Sequence, residues 1–137
     1  MKEVPTRVTR VSDSAPNEEP DLSRFLAKHL VAIVVLQGPH RGAEYPIRRD
    51  RTVIGRSRDT DLLFDDETLS REHAAILYKN GRFVLEDLSS ANGCALNGNS
   101  VQSAELSHGD RIQLGRIVLQ WVLEVREPDP YTHILTA

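Results

Sequence analysis

The sequence predicts an all-β fold, either a sandwich or a barrel, and three observations support this. Short apolar runs between residues 25 and 127 are separated by turn signals roughly every 8–12 residues, a spacing typical of such folds. Asn80-Gly81 joins AAILYK to RFVLEDL, and this dipeptide favours the type I′ turn of a β-hairpin. The last run has the period of two that a half-buried strand requires. It places Ile117, Leu119, Trp121, Leu123 and Val125 on one face and Gln120 and Glu124 on the other.

Both ends of the chain lack the pattern of a packed core. Residues 1–24 mix proline, serine, threonine and charges of both signs with no apolar period, so we expect a disordered N-terminal tail. Overlapping its end, LSRFLAKHL (residues 22–30) predicts a short amphipathic turn or helix. Pro128 and Pro130 stop regular structure and predict a flexible C-terminal tail over residues 128–137. The folded domain is therefore expected over residues 25–127.

Three strands are predicted in the first half of this domain. VAIVVLQ (residues 31–37) is continuously apolar, as in a strand buried on both faces. GAEYPIRRD (residues 42–50) and RTVIGRS (residues 51–57) follow as the next two. Later turns are predicted at Asn97-Gly98 and at residues 108–110.

SREHAAILYKNG (residues 70–81) fits either a helix or a strand. As a helix it would have Ser70 as the N-cap, Lys79 in the last turn and Asn80-Gly81 as the stop. We favour a strand, because RFVLEDL follows directly and a two-residue link pairs naturally with a preceding strand.

Composition excludes several classes of function. The 17 basic and 20 acidic residues leave a net charge of −3, so the chain lacks the dominant basic field of a protein that coats nucleic acid or a membrane. Cys94 is the only cysteine, which excludes an internal disulfide and a cysteine-based zinc cage and fits a reducing compartment. No run of about 18 apolar residues and no secretory signal occur, so we expect a cytoplasmic protein with no membrane partner.

The motifs of common enzymes are also missing. There is no Gly-x-Ser-x-Gly elbow beside Ser70 and His73 and no Walker-type phosphate loop, and the five histidines lack metal-ligand spacing. We therefore expect no catalysis, no cofactor and no metal.

Three groups of polar residues fall in or beside the connections between strands: Gly55-Arg56, residues 70–73 and Asn92-Gly93. Because such connections cluster at the ends of a sandwich, separate loops can converge there. The converging side chains would be mostly hydrogen-bond donors, whose natural complement is a phosphate group.

In this pattern the chain resembles the forkhead-associated (FHA) domain family, which binds phosphothreonine peptides. The resemblance rests on Gly55-Arg56, on Ser70-Arg71-Glu72-His73, on EDLSSANG (residues 86–93), on Asn97-Gly98 and on LSHGDRIQLG (residues 106–115). It covers residues 30 to 125 or so and implies a two-sheet antiparallel β-sandwich of about eleven strands.

The resemblance also implies roles for individual residues. Arg56, Ser70, Arg71 and Asn92 would bind the phosphothreonine peptide, with Asn92 on its backbone. Gly55, His73 and Gly93 would be architectural, and Thr68 and Arg116 would read the residue three places after the phosphothreonine. The chain departs from the family at Cys94, where a threonine is usual, and at Ala91, where many relatives are polar.

The expected function is that of a signalling adaptor or regulator downstream of a Ser/Thr kinase. Thr6 and Thr9 lie in a basic stretch that a kinase could reach, so the phosphorylated tail could occupy the site itself; a plain tail is the alternative. An arginine-lined site for nucleic-acid phosphate is the other reading, although no nucleic acid is expected. Steep loss of binding with salt would distinguish it.

Overall fold

The computed structural model describes residues 14–126, with side chains from residue 21 onward. Within this part of the chain there is one helix followed by eleven strands. The elements are α1 (Ser14–Lys28), β1 (His29–Gln37), β2 (Glu44–Pro46), β3 (Arg51–Gly55), β4 (Leu62–Leu63), β5 (Ala74–Lys79), β6 (Arg82–Asp87), β7 (Cys94–Leu96), β8 (Asn99–Val101), β9 (Ser103–Glu105), β10 (Arg111–Leu114) and β11 (Ile117–Val125).

The strands form two sheets, which confirms the predicted β-sandwich. One sheet has six strands in the order β2-β1-β11-β10-β7-β8, and the other has five in the order β4-β3-β5-β6-β9. All pairs are antiparallel except β3 with β4, which is parallel. That parallel pair is only two residues long. Asp61 stabilises it by accepting a hydrogen bond from the amide of Val53 at 2.8 Å.

The core lies between the sheets and is centred on Trp121. Its side chain is fully buried in β11, and its ring lies 5.1 Å from that of Phe83 in β6. The predicted alternation in β11 holds for Ile117, Leu119 and Trp121, but Val125 at the strand end is 72% exposed. Each large apolar side chain buried in this way contributes about 1.5–3 kcal/mol.

Residues 74–79 form a strand, so the favoured reading of the ambiguous segment is confirmed. β5 lies between β3 and β6 and is hydrogen-bonded to both. Asn80 and Gly81 have φ values of 51° and 83°, the left-handed pair that a type I′ turn requires. A helix here would have left both neighbouring strands without their partner.

The helix corrects the predicted disorder of residues 14–24. α1 begins at Ser14, within the segment expected to be a tail, and it ends at Lys28, before the predicted limit at residue 30. Leu22 is buried in the core cluster, and Phe25 packs against it from the helix. The helix is thus stabilised by tertiary packing, which the composition of residues 1–24 does not reveal. Residues 1–13 and 127–137, and with them the expected tail sites and C-terminal tail, lie outside the described residues.

Polar contacts fasten α1 to the end of the sandwich where β5 turns into β6. Tyr78 donates its hydroxyl to Asp21 at 2.5 Å, and burial together with this contact raises the pKa of Tyr78 to about 12. The Arg126 side chain donates to the carbonyl oxygens of Leu26 at 3.1 Å and of His29 at 3.2 Å. The bond to Leu26 satisfies a carbonyl group that the helix end leaves unpaired, and the bond to His29 joins the start of β1.

At the opposite end, the buried His73 connects two loops. Its Nδ1 accepts the amide of Ser70 at 3.0 Å, so its Nε2 carries the proton and donates to the carbonyl oxygen of Gly93 at 2.7 Å. The side chain is 0% exposed, and both ring nitrogens are satisfied. The predicted bracing role of His73 is consistent with these two bonds.

Cys94 occupies the position where the family usually has threonine. Its thiol is buried and donates to Asp87 Oδ1 at 3.3 Å, an interaction that a threonine hydroxyl could also make. Burial, followed by the contact with the Asp87 carboxylate, raises the pKa of the Cys94 thiol to about 12. The thiol is therefore protonated and covered at neutral pH.

Replacing Tyr78 by phenylalanine removes the bond to Asp21 while keeping the ring. We expect Tyr78→Phe to lower the free energy of unfolding by about 0.5–1.5 kcal/mol, the net value of a typical hydrogen bond. Urea denaturation followed by the fluorescence of the single tryptophan measures it. Tyr45→Phe is the matched control, because no hydrogen bond among residues 21–126 involves the Tyr45 hydroxyl. Equal losses in the two variants would contradict the role of the Asp21 contact.

The Cys94 thiol should react slowly in the folded protein. Because the thiolate is the nucleophile, we expect a thiol-specific disulfide reagent at pH 8 to modify the urea-unfolded chain rapidly and the native chain only slowly. The folded pKa of about 12 exceeds the ordinary value of 9.0, so the unfolded chain loses this proton first. The stability contributed by the thiol is therefore complete below pH 9 and declines as the pH rises towards 12. Cys94→Ser is the blank for the reagent, and rapid modification of the native protein would contradict the assignment.

Candidate functional site

Three connections converge at the end of the sandwich away from α1. The amide of Arg56, after β3, donates to the carbonyl oxygen of Ser70, and that of Ser57 donates to Arg71, both at 3.0 Å. The amide of Ala91, before β7, donates to Ser70 Oγ at 2.9 Å. The loops that the sequence predicts to meet therefore do meet, and we call this end of the molecule the rim.

Gly55 allows the β3 connection to approach the β4–β5 connection. A Cβ atom at this position would lie 2.1 Å from the carbonyl oxygen of Arg71 and 2.8 Å from its carbonyl carbon. Both are backbone atoms that cannot rotate away, so any side chain would force the two loops apart. The architectural role expected of Gly55 has this steric basis.

The Arg56 side chain is held through Nε, and its terminal amino groups are left for a ligand. Its Nε donates to the carbonyl oxygen of Leu69 at 3.1 Å, which orients the guanidinium plane. No hydrogen bond from residues 21–126 occupies its terminal amino groups. They remain available for two parallel bonds to an oxyanion.

Ser70 and Asn92 are each held by one hydrogen bond to a neighbouring loop and retain a free donor or acceptor. Ser70 Oγ accepts the Ala91 amide, which leaves its hydroxyl proton able to point towards a ligand. Asn92 donates to the carbonyl oxygen of Thr68 at 2.7 Å, and its exposed Oδ1 remains able to accept a peptide amide. A serine donor and an amide acceptor thus lie beside the Arg56 loop.

The residues expected to provide specificity, Thr68 and Arg116, are joined through Asp66. Asp66 Oδ1 accepts the amide of Thr68 at 2.8 Å and its hydroxyl at 2.5 Å. Arg116 donates its amide to Thr68 Oγ1 at 2.9 Å, and its guanidinium lies 3.4 Å from Asp66 Oδ2. The hydrogen bonds from Thr68, and less strongly Arg116, lower the pKa of Asp66. Arg116 therefore already has a carboxylate partner.

Sequence reasoning did not single out Asp66. The signal available was local: an aspartate two residues before Thr68 can close an Asx-turn on its own backbone. The contact with Arg116, 50 residues later, becomes visible only in the fold.

An open cavity of about 410 Å³ lies beside Arg56 at the rim. It is lined by Arg56, Ser57, Arg58, Asp59 and Arg71. Arg58 carried no expected role from the sequence. The lining thus includes three arginines and one aspartate in a chain whose net charge is −3. Such a surface is suited to an anion with several acceptor oxygens.

His73, Asp87 and Cys94 are the only set of potential metal ligands that residues 14–126 bring together, with ligand atoms within 4.8 Å of one another. Their positions on separate elements hid this cluster from sequence reasoning. His73 uses both nitrogens for Ser70 and Gly93, and Asp87 accepts from Cys94 and Ser90. The potential ligand atoms are thus already used in hydrogen bonds that hold the loops, and a metal ion would have to break these bonds.

In the described range, 14–126, no helix has the length and apolar character needed to cross a membrane.

A family model described as "FHA domain" matches residues 52–115. The glycogen accumulation regulator GarA of Mycolicibacterium smegmatis is 35% identical over 97 residues, 71% of this chain and 61% of that protein. The oxoglutarate dehydrogenase inhibitor of Corynebacterium diphtheriae is 37% identical over 90 residues, 66% of this chain and 63% of that protein. The chain therefore matches less than two thirds of the length of these relatives.

Solved structures agree with this match. A structure from an analysis of phosphothreonine-dependent FHA domain interactions superimposes with a TM-score of 0.64 at 30% identity, covering 73% of this chain and 99% of that one. EmbR of Mycobacterium tuberculosis, in complex with a low-affinity phosphopeptide, gives a TM-score of 0.65 at 25% identity, covering 73% of this chain and 26% of that one.

Regulators and an inhibitor, rather than catalysts, are thus the named relatives, and phosphothreonine dependence is a property of the matching domain structure. Sequence pattern and two-sheet topology agree with the matching family model on one family assignment. The chain belongs to the FHA domain family.

Proposed function

We propose that this protein binds phosphothreonine peptides through Arg56, Ser70, Arg71 and Asn92 and acts as an adaptor or regulator downstream of a Ser/Thr kinase. The observation that carries the proposal is the state of Arg56. Its Nε is anchored on Leu69, its side chain is exposed, and its amide is hydrogen-bonded to Ser70, whose hydroxyl proton is free. The fork is therefore oriented before a ligand arrives, which reduces the entropy cost of binding.

Binding becomes conditional on phosphorylation because the phosphate supplies most of the attraction. A phosphothreonine carries about −1.5 to −2 charge and three acceptor oxygens. Each charge-assisted hydrogen bond contributes ~1.5–3 kcal/mol, so losing three with the phosphate lowers the affinity by several powers of ten. Asn92 would then hydrogen-bond the peptide backbone, whichever side chains lie beside the phosphothreonine.

The partner is thus a protein that a Ser/Thr kinase has phosphorylated on threonine. The names of the relatives point towards metabolic enzymes as targets, since one is an oxoglutarate dehydrogenase inhibitor and another a glycogen accumulation regulator. We extend this to the present chain as part of the proposal: it would regulate an enzyme of central metabolism by docking, without catalysis of its own.

Self-inhibition by the N-terminal tail is the second part of the proposal. Since α1 begins at Ser14, the linker available to a phosphorylated tail residue ends there. Thr6 lies eight residues before Ser14 and Thr9 five, which allows extended reaches of about 26–29 Å and about 17–18 Å. Thr6 therefore has the better chance of reaching the rim from its own chain, where tethering raises the effective concentration to the millimolar range.

Removing the Arg56 fork should abolish binding. We expect Arg56→Ala to lower the affinity for a phosphothreonine peptide, chosen from an oriented library, by at least about 100-fold, because two charge-assisted hydrogen bonds are lost. Calorimetric titration measures this, and urea denaturation checks that the fold persists. Arg51→Ala removes an exposed arginine at the far end of the same strand and is the matched control.

Normal titration of Arg56→Ala would overturn the assignment of the phosphate site. A steep salt dependence of binding in the unmodified protein, with nucleic acid competing against the peptide, would favour the nucleic-acid alternative instead.

Phosphorylation of the tail should place it in the same site. After treatment with a Ser/Thr kinase in vitro, we expect the amide resonances of Arg56, Ser70 and Asn92 to shift and the affinity for an added peptide to fall. Thr6→Ala should suppress both effects more than Thr9→Ala, and shifts independent of protein concentration would identify capture within one chain. A modified tail with unshifted rim resonances would end this part of the proposal.

A further inference from the structure

The β4–β5 connection is acidic at the point where it adjoins the Arg56 site. The carbonyl oxygen of Leu69 in this connection accepts a hydrogen bond from Arg56 Nε at 3.1 Å. Two to four residues earlier, the chain carries three consecutive carboxylates, Asp65, Asp66 and Glu67. The amide of Leu69 donates to the carbonyl oxygen of Asp66 at 3.0 Å, which closes this segment into a turn. The group that orients the proposed phosphate fork and a run of negative charge therefore belong to one turn.

Asp66, the middle carboxylate, is ionised and used within the fold. Its side chain is 11% exposed, and its Oδ1 accepts the amide and the hydroxyl of Thr68 at 2.8 Å and 2.5 Å. These hydrogen bonds lower the pKa of Asp66, so the carboxylate is charged at neutral pH. Its Oδ2 lies 3.4 Å from the guanidinium of Arg116, and the two charges offset each other.

Asp65 and Glu67 are left without a cation of this kind. Both side chains are exposed, and neither forms an ion pair with another residue among 21–126. In the same part of the chain, Arg116 is the only cation that pairs with the turn. Three carboxylates and one guanidinium leave a net charge of −2 on this acidic corner, defined as Asp65, Asp66, Glu67 and Arg116. Consecutive Cα atoms are about 3.8 Å apart, well within the screening length of physiological salt, so these charges act together.

We propose that the acidic corner is a second subsite, which selects a phosphothreonine peptide with a lysine or arginine within a few residues of the phosphothreonine. The inference rests on the proposed function and describes its ligand more closely. An arginine without a partner at position 116 would favour an acidic side chain in the peptide. Asp66 removes that preference, and Asp65 and Glu67 replace it with the opposite one.

The charges of the two subsites are complementary to such a peptide. The cavity beside Arg56 has three arginines and one aspartate in its lining, a net charge of +2, which one phosphothreonine of about −2 balances. The acidic corner then keeps its own charge, and a basic side chain of the peptide would balance it. The N-terminal residues of the chain itself have this pattern, because Thr6 is followed by Arg7 and Arg10.

Calorimetry with matched peptides tests the selection. The reference is a phosphothreonine peptide chosen from a library whose other residues are restricted to neutral ones. One series then places a lysine, and another a glutamate, at each of the four positions on either side of the phosphothreonine. For the unmodified protein we expect a position at which lysine tightens binding about 3- to 10-fold, as two exposed ion pairs would, and glutamate does not. The gain should shrink as salt is added.

Variants of the protein assign this gain to the acidic corner. In Asp65→Asn/Glu67→Gln the lysine gain should disappear, whereas Glu105→Gln, which removes an exposed carboxylate from β9, should keep it. Asp66→Asn keeps an oxygen that can accept from Thr68 but releases Arg116, so glutamate at the same position should now tighten binding. Urea denaturation checks that each variant is folded.

The outcomes separate this inference from the proposed function. A lysine gain that persists in Asp65→Asn/Glu67→Gln, or no lysine gain at any position, overturns the inference while leaving the proposed function intact. A glutamate gain in the unmodified protein would mean that Arg116 dominates the acidic corner, and it overturns the inference too. If no phosphothreonine peptide binds the unmodified protein, the proposed function and the inference both fail.

Discussion

The rim depends on the pair of hydrogen bonds made by the buried imidazole of His73. One nitrogen accepts the Ser70 amide in the β4–β5 connection and the other donates to Gly93 in the β6–β7 connection, so a single ring sets the distance between these two loops. Because the ring is wholly buried, either bond left unmade would cost the desolvation of a polar atom. The exposed groups proposed to contact a ligand are consequently positioned from below, by a residue that need not touch it.

The molecule separates the hydrogen bonds that brace its loops from its exposed cationic groups. Beneath the rim, His73 bonds the backbone of Ser70 and Gly93, and the Cys94 thiol donates to Asp87. Above them, Arg56 is oriented by the carbonyl oxygen of Leu69 and makes no ion pair with any side chain among residues 21–126. Arg116 shows the opposite arrangement, since Asp66 already neutralises part of its charge. The rim can therefore be locally cationic although the chain as a whole is acidic.

Features encoded by neighbouring residues could be predicted from the sequence, and features created by distant contacts could not. The period of two in β11 and the Asn80-Gly81 turn depend on local geometry, so their strands were predictable. α1 depends on Leu22 and Phe25 packing against the core, and composition alone suggested disorder. At the site, the motif residues were recognisable, but the Asp66 link to Arg116 joins positions 50 residues apart. Arg58 was missed for a related reason: only the fold shows which loop arginines line the same cavity.

The contact between Arg126 and the end of α1 has a consequence for how this fold can be used in larger proteins. The amide of Arg126 donates to the carbonyl oxygen of Lys28 at 2.9 Å, so the chain enters and leaves the sandwich side by side. This junction lies at the Asn80-Gly81 end, where Phe25 approaches Gly81, and the rim is at the other pole. Polypeptide that continues after Arg126 would therefore begin at the pole opposite the ligand, which suits a module that can be fused to another domain on this side without blocking its own binding surface.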